Sequence, residues 1–498
     1  MRFNFEFAEP LRYVCKALVV GCFEDDLEAD PFLKRFDAEL SGIVGELVGQ
    51  KEFFGRKGTS KLIHSLGRLP AKRLLLIGMG KRTELTLDRL RLGAGMAVQI
   101  LRGAGIQTYC SVLHMAGKGD AESLRATAEG TLLGGHSFDC YKTSTRDNPP
   151  VEELTFLSDG NLSREDGEKA LREAGIVGEA VIFARNLVAQ PANVATPSYL
   201  AIKAVEVSSR LGFDCRVLER DEMEQNGMEA ILAVAKGSRQ PPRFMILEYQ
   251  GGDKKKRPVV LVGKGVTFDS GGISLKPREG MERMKDDMAG AAVVIGTFMA
   301  AAGLNLPINL VGLIPAAENL PGGDAYKPGD IVKTMAGKMV EIVNTDAEGR
   351  MLLCDALHFA HRYRPQVIID IATLTGACIV ALGNEATGLM GNDAGLKREL
   401  KRAGEISGER LWELPLWEEY GELMKSDVAD LKNAGGPTAG TISAGWFLQQ
   451  FVGGSRWAHL DIAGTAWEEK GRPYLPKGAT GVGVRLLVEY LRGSVVVE

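Results

Sequence analysis

Acidic residues follow two apolar segments that have the composition of buried strands. Residues 259–262 are apolar throughout and lead to Asp269, and residues 339–343 lead to Asp346 and Glu348. In open α/β sheets, ligands bind beyond the carboxyl ends of the strands, so we expect these two loops to lie close together.

A third acidic segment contains Asp286 and Asp287 and precedes an alanine-rich helix predicted over residues 290–302. Each segment also has an ordinary structural interpretation, such as a helix cap for Asp287 or an Asx turn for Asp346. Three acidic loops in glycine-rich surroundings favour a site that binds hard cations through oxygen. A histidine-built zinc site is not favoured, because the chain has 6 histidines and no His-Glu-x-x-His motif.

The composition is that of a globular protein, with 498 residues, 45% hydrophobic and 25% charged. The 60 basic and 64 acidic residues, divided 21 to 21 within the first 160 residues, do not favour a nucleic-acid surface. The apolar runs are too short for a membrane span, and the N-terminus does not resemble a signal peptide. Seven cysteines without a Cys-x-x-Cys pair fit a reducing compartment, so we expect a cytoplasmic protein without a membrane partner.

The pattern predicts an α/β protein with two domains: a smaller N-terminal α/β domain and a larger C-terminal α/β domain with a central, mostly parallel sheet. The predicted boundaries are 1–160 for the N-terminal domain, 161–190 for a linker helix capped by Ser163, and 191–498 for the larger domain, which the resemblance described below implies to be catalytic. Residues 143–150 are rich in turn formers and could begin the boundary. Strands are expected at 13–22, 73–78 and 108–114, with helices at 90–103 and 121–133.

Two motifs together resemble the cytosol (leucyl) aminopeptidase family, the M17 metallopeptidases. Residues 344–350, Asn-Thr-Asp-Ala-Glu-Gly-Arg, are similar to the family signature, and residues 263–277, Gly-Lys-Gly-Val-Thr-Phe-Asp-Ser-Gly-Gly-Ile-Ser-Leu-Lys-Pro, to its first metal loop. Segments 191–197, 372–377 and 457–466 also resemble the family, and the similarity extends over about residues 185–490. The chain departs from the family pattern at Asn186 and Met351, neither of which is in a ligand position.

The resemblance implies a dimetal aminopeptidase that removes N-terminal residues, preferably Leu and other hydrophobic residues, through a hydroxide held between two ions. It implies two divalent metal ions per subunit, Zn²⁺ or Mn²⁺ or both, with Mg²⁺ or Co²⁺ as alternatives, together with bicarbonate. It further implies peptide substrates with a free N-terminus and a homohexamer.

The resemblance also assigns roles to individual residues. The implied metal ligands are Lys264, Asp269, Asp287, Asp346 and Glu348. The four carboxylates balance two divalent ions if the lysine binds as a neutral amine, which requires a strongly lowered pKa. Lys276 would stabilise the oxyanion, and Arg350 would hold the bicarbonate that serves as general base. The implied substrate pocket consists of Met284, Thr373, Leu374, Gly376, Ala463 and Ala466. Asp286 is expected to be an outer-shell or surface residue.

Other functions stay open beside this one. Some family members also bind DNA, and a hexamer could gather basic residues into one groove, although the charge balance does not favour this. Cysteinyl-glycine hydrolysis would use the same chemistry. An inactive scaffold is not favoured, because all the implied ligand and catalytic positions are present.

Overall fold

The computed structural model describes residues 1–27, 29–144 and 148–496. The chain forms two compact units, Met1–Glu179 with Lys470–Lys477, and Ala180–Glu469 with the segment that begins at Gly478. Part of the predicted boundary at 143–150, and the last two residues of the predicted catalytic domain, lie outside the described residues. The predicted domain boundaries therefore stay predictions.

The first unit is a mostly parallel sheet with helices. Its strands follow the order β1-β6-β5-β2-β4-β3, and all neighbouring strands are parallel except β3 and β4. The elements are β1 Arg2–Phe7, β2 Leu18–Phe23, α1 Pro31–Glu39, α2 Ile43–Gly49, β3 Ser60–His64, β4 Arg73–Gly80, α3 Leu87–Gly103, β5 Thr108–Ser111, α4 Ala121–Gly135, β6 Glu153–Ser158 and α5 Arg164–Ala189. The boundary between the units falls within α5.

Strand β4 shows why this part of the sequence folds as a layered sheet. Leu75 and Ile77 belong to one buried cluster, and Leu74 and Leu76 belong to another, because successive side chains of a strand point to opposite faces. The predicted helix cap is present, since Ser163 Oγ accepts a hydrogen bond from the Asp166 amide at 3.1 Å.

The strand predicted over 13–22 begins only at Leu18, where pairing with β4 starts. The strand predicted over 108–114 ends at Ser111, because residues 113–116 form a 3-10 helix.

The second unit contains a larger sheet with the strand order β16-β15-β18-β14-β9-β11-β8-β7, with β10 beside β11. The strands at its centre, β18, β14, β9 and β11, are parallel, so the predicted fold class is confirmed. The elements are α6 Pro197–Leu211, β7 Asp214–Leu218, α7 Arg220–Gln225, α8 Glu229–Ala235, β8 Arg243–Gln250, β9 Val259–Gly263, β10 Gly265–Asp269, α9 Ala289–Gly303, β11 Asn309–Asn319, β12 Ile331–Lys333, β13 Met339–Glu341, α10 Glu348–Ala360, β14 Val367–Ala372, α11 Gly376–Leu382, β15 Thr387–Gly391, α12 Ala394–Ser407, β16 Leu411–Glu413, β17 Leu431–Lys432, α13 Gly440–Gln449, β18 Trp457–Asp461, β19 Trp467–Glu468, β20 Gly478–Ala479 and α14 Val484–Val496.

Helices α9 and α10 cover opposite faces of the central strands. Val260 and Val262 of β9 share a buried cluster with α10 residues such as Leu353, whereas the α-carbon of Gly312 lies against Phe298 and Val294 of α9. Helix α9 is buried along almost its whole length, which matches its alanine-rich sequence. Among the described residues, no helix is both long enough and apolar enough to cross a membrane.

One premise of the sequence prediction is wrong. Strand β13, which leads to Asp346, does not belong to the central sheet but to a separate sheet with the order β12-β13-β17. The loop that contains Asp346 reaches the central sheet because α10 begins directly after it, at Glu348, and packs on β9 and β11.

Candidate active site

Lys264 is a buried cation at the carboxyl end of β9. Its side chain is 3% exposed, and its Nζ lies 2.7 Å from Asp287 Oδ1 and 2.9 Å from Glu348 Oε1. It also donates a hydrogen bond of 2.9 Å to the carbonyl oxygen of Thr373. Burial lowers the pKa of Lys264, but the nearby carboxylates outweigh burial and raise this pKa above its ordinary value. With these contacts alone, Lys264 is an ammonium ion.

A second lysine joins two other carboxylates of the same site. Lys276 Nζ lies 2.7 Å from Asp269 Oδ2 and 2.5 Å from Asp346 Oδ1. One carboxylate oxygen from each of Asp269, Asp346 and Glu348 lies within 4.8 Å of the other two. Because Glu348 also contacts Lys264, it joins Lys264 and Asp287 to Lys276, Asp269 and Asp346. We call these two lysines and four carboxyl groups the cage.

The two lysines of the cage can neutralise only two of its four carboxyl groups. Burial raises the pKa of both Asp287 and Asp269, since desolvation disfavours their charged forms. Asp287 Oδ2 and Glu348 Oε2 are buried and have no hydrogen-bond partner among the described residues. Buried carboxylate oxygens are costly without a partner, and a bound divalent cation is a partner that suits oxygen ligands. The donor set therefore fits a metal centre.

Asp286 is a buried acid whose ion-pair partner is Arg283. It is 6% exposed, and its Oδ2 lies 3.7 Å from Arg283 Nη2. Burial raises its pKa to about 6. Of the two alternatives that the sequence left for Asp286, a surface position is wrong.

Arg350 is a buried guanidinium with unused hydrogen-bonding capacity. It is 7% exposed, and its Nη1 donates a hydrogen bond of 2.8 Å to the carbonyl oxygen of Asn433. Its Nε is buried without a partner among the described residues. Burial lowers its pKa to about 10, while Glu348 and Asp461 act in the opposite direction. A buried, incompletely paired guanidinium is suited to hold a small oxyanion.

Three of the predicted pocket residues are hydrogen-bonded to acidic side chains, and only for Thr373 is that side chain part of the cage. Thr373 Oγ1 donates to Asp287 Oδ1 at 2.8 Å. The amides of Leu374 and Ala463 both donate to Asp461 Oδ1 at 3.1 Å.

The other three predicted pocket residues have no such link. Met284 is half-buried, Gly376 is exposed and Ala466 is buried. The hydrogen bonds and ion pairs of the described residues do not connect these three to the cage. The place of all six residues in a substrate pocket stays a prediction.

The sequence analysis assigned no role to several polar residues that the structure places in this part of the second unit. Asn319, at the end of β11, donates to Asp269 Oδ1 at 2.8 Å and to the carbonyl oxygen of Thr345 at 2.9 Å. Tyr326 donates to the same carbonyl at 2.9 Å. Asp461 is likewise a polar residue at the end of an apolar strand, β18. The available signal was a polar residue at the carboxyl end of an apolar strand, the signal that located Asp269.

Comparison with known proteins identifies the family. Residues 182–488 match the model of the cytosol aminopeptidase family, catalytic domain, and residues 19–145 match the model of its N-terminal domain. The chain belongs to the cytosol aminopeptidase family. It is 62% identical over 495 residues to the probable cytosol aminopeptidase of Geobacter sulfurreducens, covering 99% of this chain and 100% of the relative. The relative with the same name from Geotalea uraniireducens is also 62% identical, covering 98% of this chain and 99% of the relative.

Solved structures agree with the family assignment. A variant of tomato leucine aminopeptidase is 33% identical with a TM-score of 0.89, covering 98% of this chain and 96% of that chain. The bottromycin maturation enzyme BotP in complex with Mn is 34% identical with a TM-score of 0.84, covering 96% of this chain and 99% of that chain. This member of the family is therefore an aminopeptidase, a hydrolase that acts on peptides.

Proposed function

We propose that this aminopeptidase uses two divalent metal ions to remove Leu and other hydrophobic residues from the N-termini of peptides. The observation that most directly supports the proposal is the cage of Asp269, Asp287, Asp346 and Glu348. Its buried oxygens on Asp287 and Glu348, which have no hydrogen-bond partner within residues 1–27, 29–144 and 148–496, match the oxygen ligands that divalent cations require.

Lys264 completes the proposed ligand set. It lies between Asp287 and Glu348, so loss of its proton would turn a cation into a nitrogen ligand at the same place. Divalent ions bound in the cage would supply Lewis-acid activation of the peptide carbonyl and of a water nucleophile. Zn²⁺ and Mn²⁺ are the proposed ions, with Mg²⁺ or Co²⁺ as alternatives, and the BotP complex contains Mn.

Lys276 is the proposed donor to the oxyanion. Burial lowers its pKa, but Asp269, Glu348 and Asp346 outweigh burial and raise it above the ordinary value. Lys276 is therefore a cation throughout the neutral pH range. Its side chain is 21% exposed, more than that of Lys264, so a substrate can reach it. A fixed cation beside the scissile carbonyl stabilises the charge that develops on the oxygen.

Arg350 is the proposed holder of bicarbonate. Its buried Nε, which has no hydrogen-bond partner in the part of the chain that the structure describes, fits an oxyanion. Bound there, bicarbonate would supply a general base, a role that no side chain is assigned.

The remaining parts of the proposal concern specificity and assembly. A pocket of mostly apolar or small residues beside the cage would favour hydrophobic N-terminal side chains; its proposed lining is Met284, Thr373, Leu374, Gly376, Ala463 and Ala466. A homohexamer and a cytoplasmic location belong to the same proposal and are supported by family membership alone.

A metal reconstitution assay tests the function. Chelator-stripped protein should be inactive and should recover activity with Mn²⁺, Zn²⁺, Mg²⁺ or Co²⁺ on a panel of aminoacyl amides, with Leu and Met above Gly and Asp. N-acetyl-leucinamide, which lacks the free amine, is the matched control and should not be cleaved. Full activity of the stripped protein would refute the metal mechanism.

Light scattering tests the proposed assembly and should find a hexamer. A stable, active monomer would refute the proposed hexamer.

A further inference from the structure

Asn319 connects the two acidic loops through a single amide group. It is the last residue of β11 and is 0% exposed. Its Nδ2 donates to Asp269 Oδ1 at 2.8 Å and to the carbonyl oxygen of Thr345 at 2.9 Å. An amide nitrogen has two hydrogens, so both are used. The first acceptor is 50 residues away in the chain and the second is 26 residues away.

The first of these bonds determines which oxygen of Asp269 remains for a cation. Oδ1 accepts hydrogen bonds from Asn319 and from the Gly271 amide, at 2.8 and 2.9 Å. A carboxylate oxygen has two lone-pair directions in its plane, and these two donors occupy both. Oδ2 faces the cage, where it lies 2.7 Å from Lys276 Nζ.

The second bond fixes the loop that contains Asp346. The carbonyl oxygen of Thr345 accepts from both Asn319 and Tyr326, and Thr345 Oγ1 donates to the Gly271 carbonyl at 2.6 Å. Thr345 directly precedes Asp346, so these bonds limit how far the Asp346 carboxylate can move from Asp269.

We propose that Asn319 is a positioning residue for the metal centre, holding Asp269 as a ligand through Oδ2 alone and keeping the Asp346 loop at a fixed separation from it. This inference rests on the proposed dimetal function. A purely structural role, in which Asn319 only satisfies buried polar groups, would affect stability but not the metal affinity of the folded protein.

The test measures Mn²⁺ binding by calorimetry on chelator-stripped protein. Asn319→Ala removes both bonds, and Asn319→Leu removes them while keeping a similar side-chain volume. Removing partners that orient metal ligands weakens binding by roughly 10–100-fold, and we expect a loss of this size in both variants. Activity titrated against Mn²⁺ should show the same increase in the metal concentration required.

Asn309→Ala is the matched control. It removes two hydrogen bonds donated by a side-chain amide at the other end of β11, to the carbonyl oxygens of Asp253 and Lys256, and leaves both acidic loops untouched, so Mn²⁺ binding should change by less than about threefold. Folding of each variant is checked by circular dichroism. Wild-type affinity in either folded Asn319 variant would overturn the inference, and so would the failure of both to fold, which would assign Asn319 to fold stability. If the wild type itself bound no Mn²⁺, the proposed function would fail instead.

Discussion

Lys264 lies against the α-carbon of Gly349: a Cβ built on Gly349 would lie 2.6 Å from Lys264 Cε and 2.7 Å from Lys264 Nζ. Gly349 is in the first turn of α10, directly after Glu348. The absence of a side chain there is what allows the lysine to reach between Asp287 and Glu348. This gives a physical reason for the glycine of the segment Asp-Ala-Glu-Gly-Arg.

The first prediction concerns Gly349→Ala. The added methyl group must displace Lys264, because the contact is shorter than real Cβ atoms tolerate. We expect Mn²⁺ affinity to fall by roughly 10–100-fold, as when a ligand loses its positioning partner, with the fold retained. Gly175→Ala is a matched control in α5, where a Cβ meets nothing within 4 Å. Equal metal affinity in both variants would show that the space at Gly349 is not needed to position Lys264.

The second prediction concerns Glu348, the carboxylate shared by both parts of the cage. Glu348→Ala removes one negative charge and coordinating oxygens, so we expect loss of at least one metal ion and a fall in turnover of several orders of magnitude. Metal content is measured by mass spectrometry of the dialysed protein. Glu419→Ala, at an exposed carboxylate, should retain metal and activity. Near-normal turnover of metal-saturated Glu348→Ala would place the site elsewhere.

The third prediction separates the two lysines. Lys276→Ala removes the proposed oxyanion donor, which should lower kcat by roughly 10²–10³ and change KM by less than about tenfold. It also removes a positive charge beside Asp269 and Asp346, so metal content should not decrease. Lys264→Ala should lose metal, because a proposed ligand is removed.

Lys254→Ala, in an exposed turn, is the control for both lysine variants and should be kinetically silent. An unchanged kcat in Lys276→Ala would show that Lys276 is not the oxyanion donor.

The fourth prediction concerns a buried pair of ionisable residues in the central sheet, Asp370 of β14 and His459 of β18. His459 Nδ1 lies 2.5 Å from Asp370 Oδ1, and both side chains are 0% exposed. Burial lowers the pKa of His459, and so does Arg350. Asp370 outweighs both effects, with a contribution from Asp461, and raises the pKa of His459 above its ordinary value. A folded-state pKa above the unfolded value stabilises the fold below about pH 6.5, and this stabilisation is lost as the pH rises through the folded-state pKa.

Urea unfolding across pH 5.5–8 checks this sign. The difference between the unfolding midpoints of the wild type and Asp370→Asn should be largest below about pH 6.5 and should shrink as the pH rises. Asp330→Asn is the control, because Lys327 lowers the pKa of Asp330 and this carboxyl does not titrate in that range. A difference that does not depend on pH would mean that His459 is neutral in the folded protein.

Much of the cage could be predicted from sequence because its residues lie in short segments. Lys264, Asp269 and Lys276 fall within residues 263–277, and Asp346 and Glu348 fall within residues 344–350. The central strands were also predictable, since strands buried on both faces are apolar at successive positions, as β9 is. What the sequence determined by itself was therefore the type of fold and the residues that could bind a cation.

Only the tertiary structure decided how these residues are paired. Lys264 contacts Asp287 and Glu348, whereas Lys276 contacts Asp269 and Asp346. These pairings, the placement of β13 in a separate sheet and the two bonds of Asn319 join residues far apart in the chain. Local periodicity reports which face of an element is buried, and it contains no information about which distant polar group meets it there.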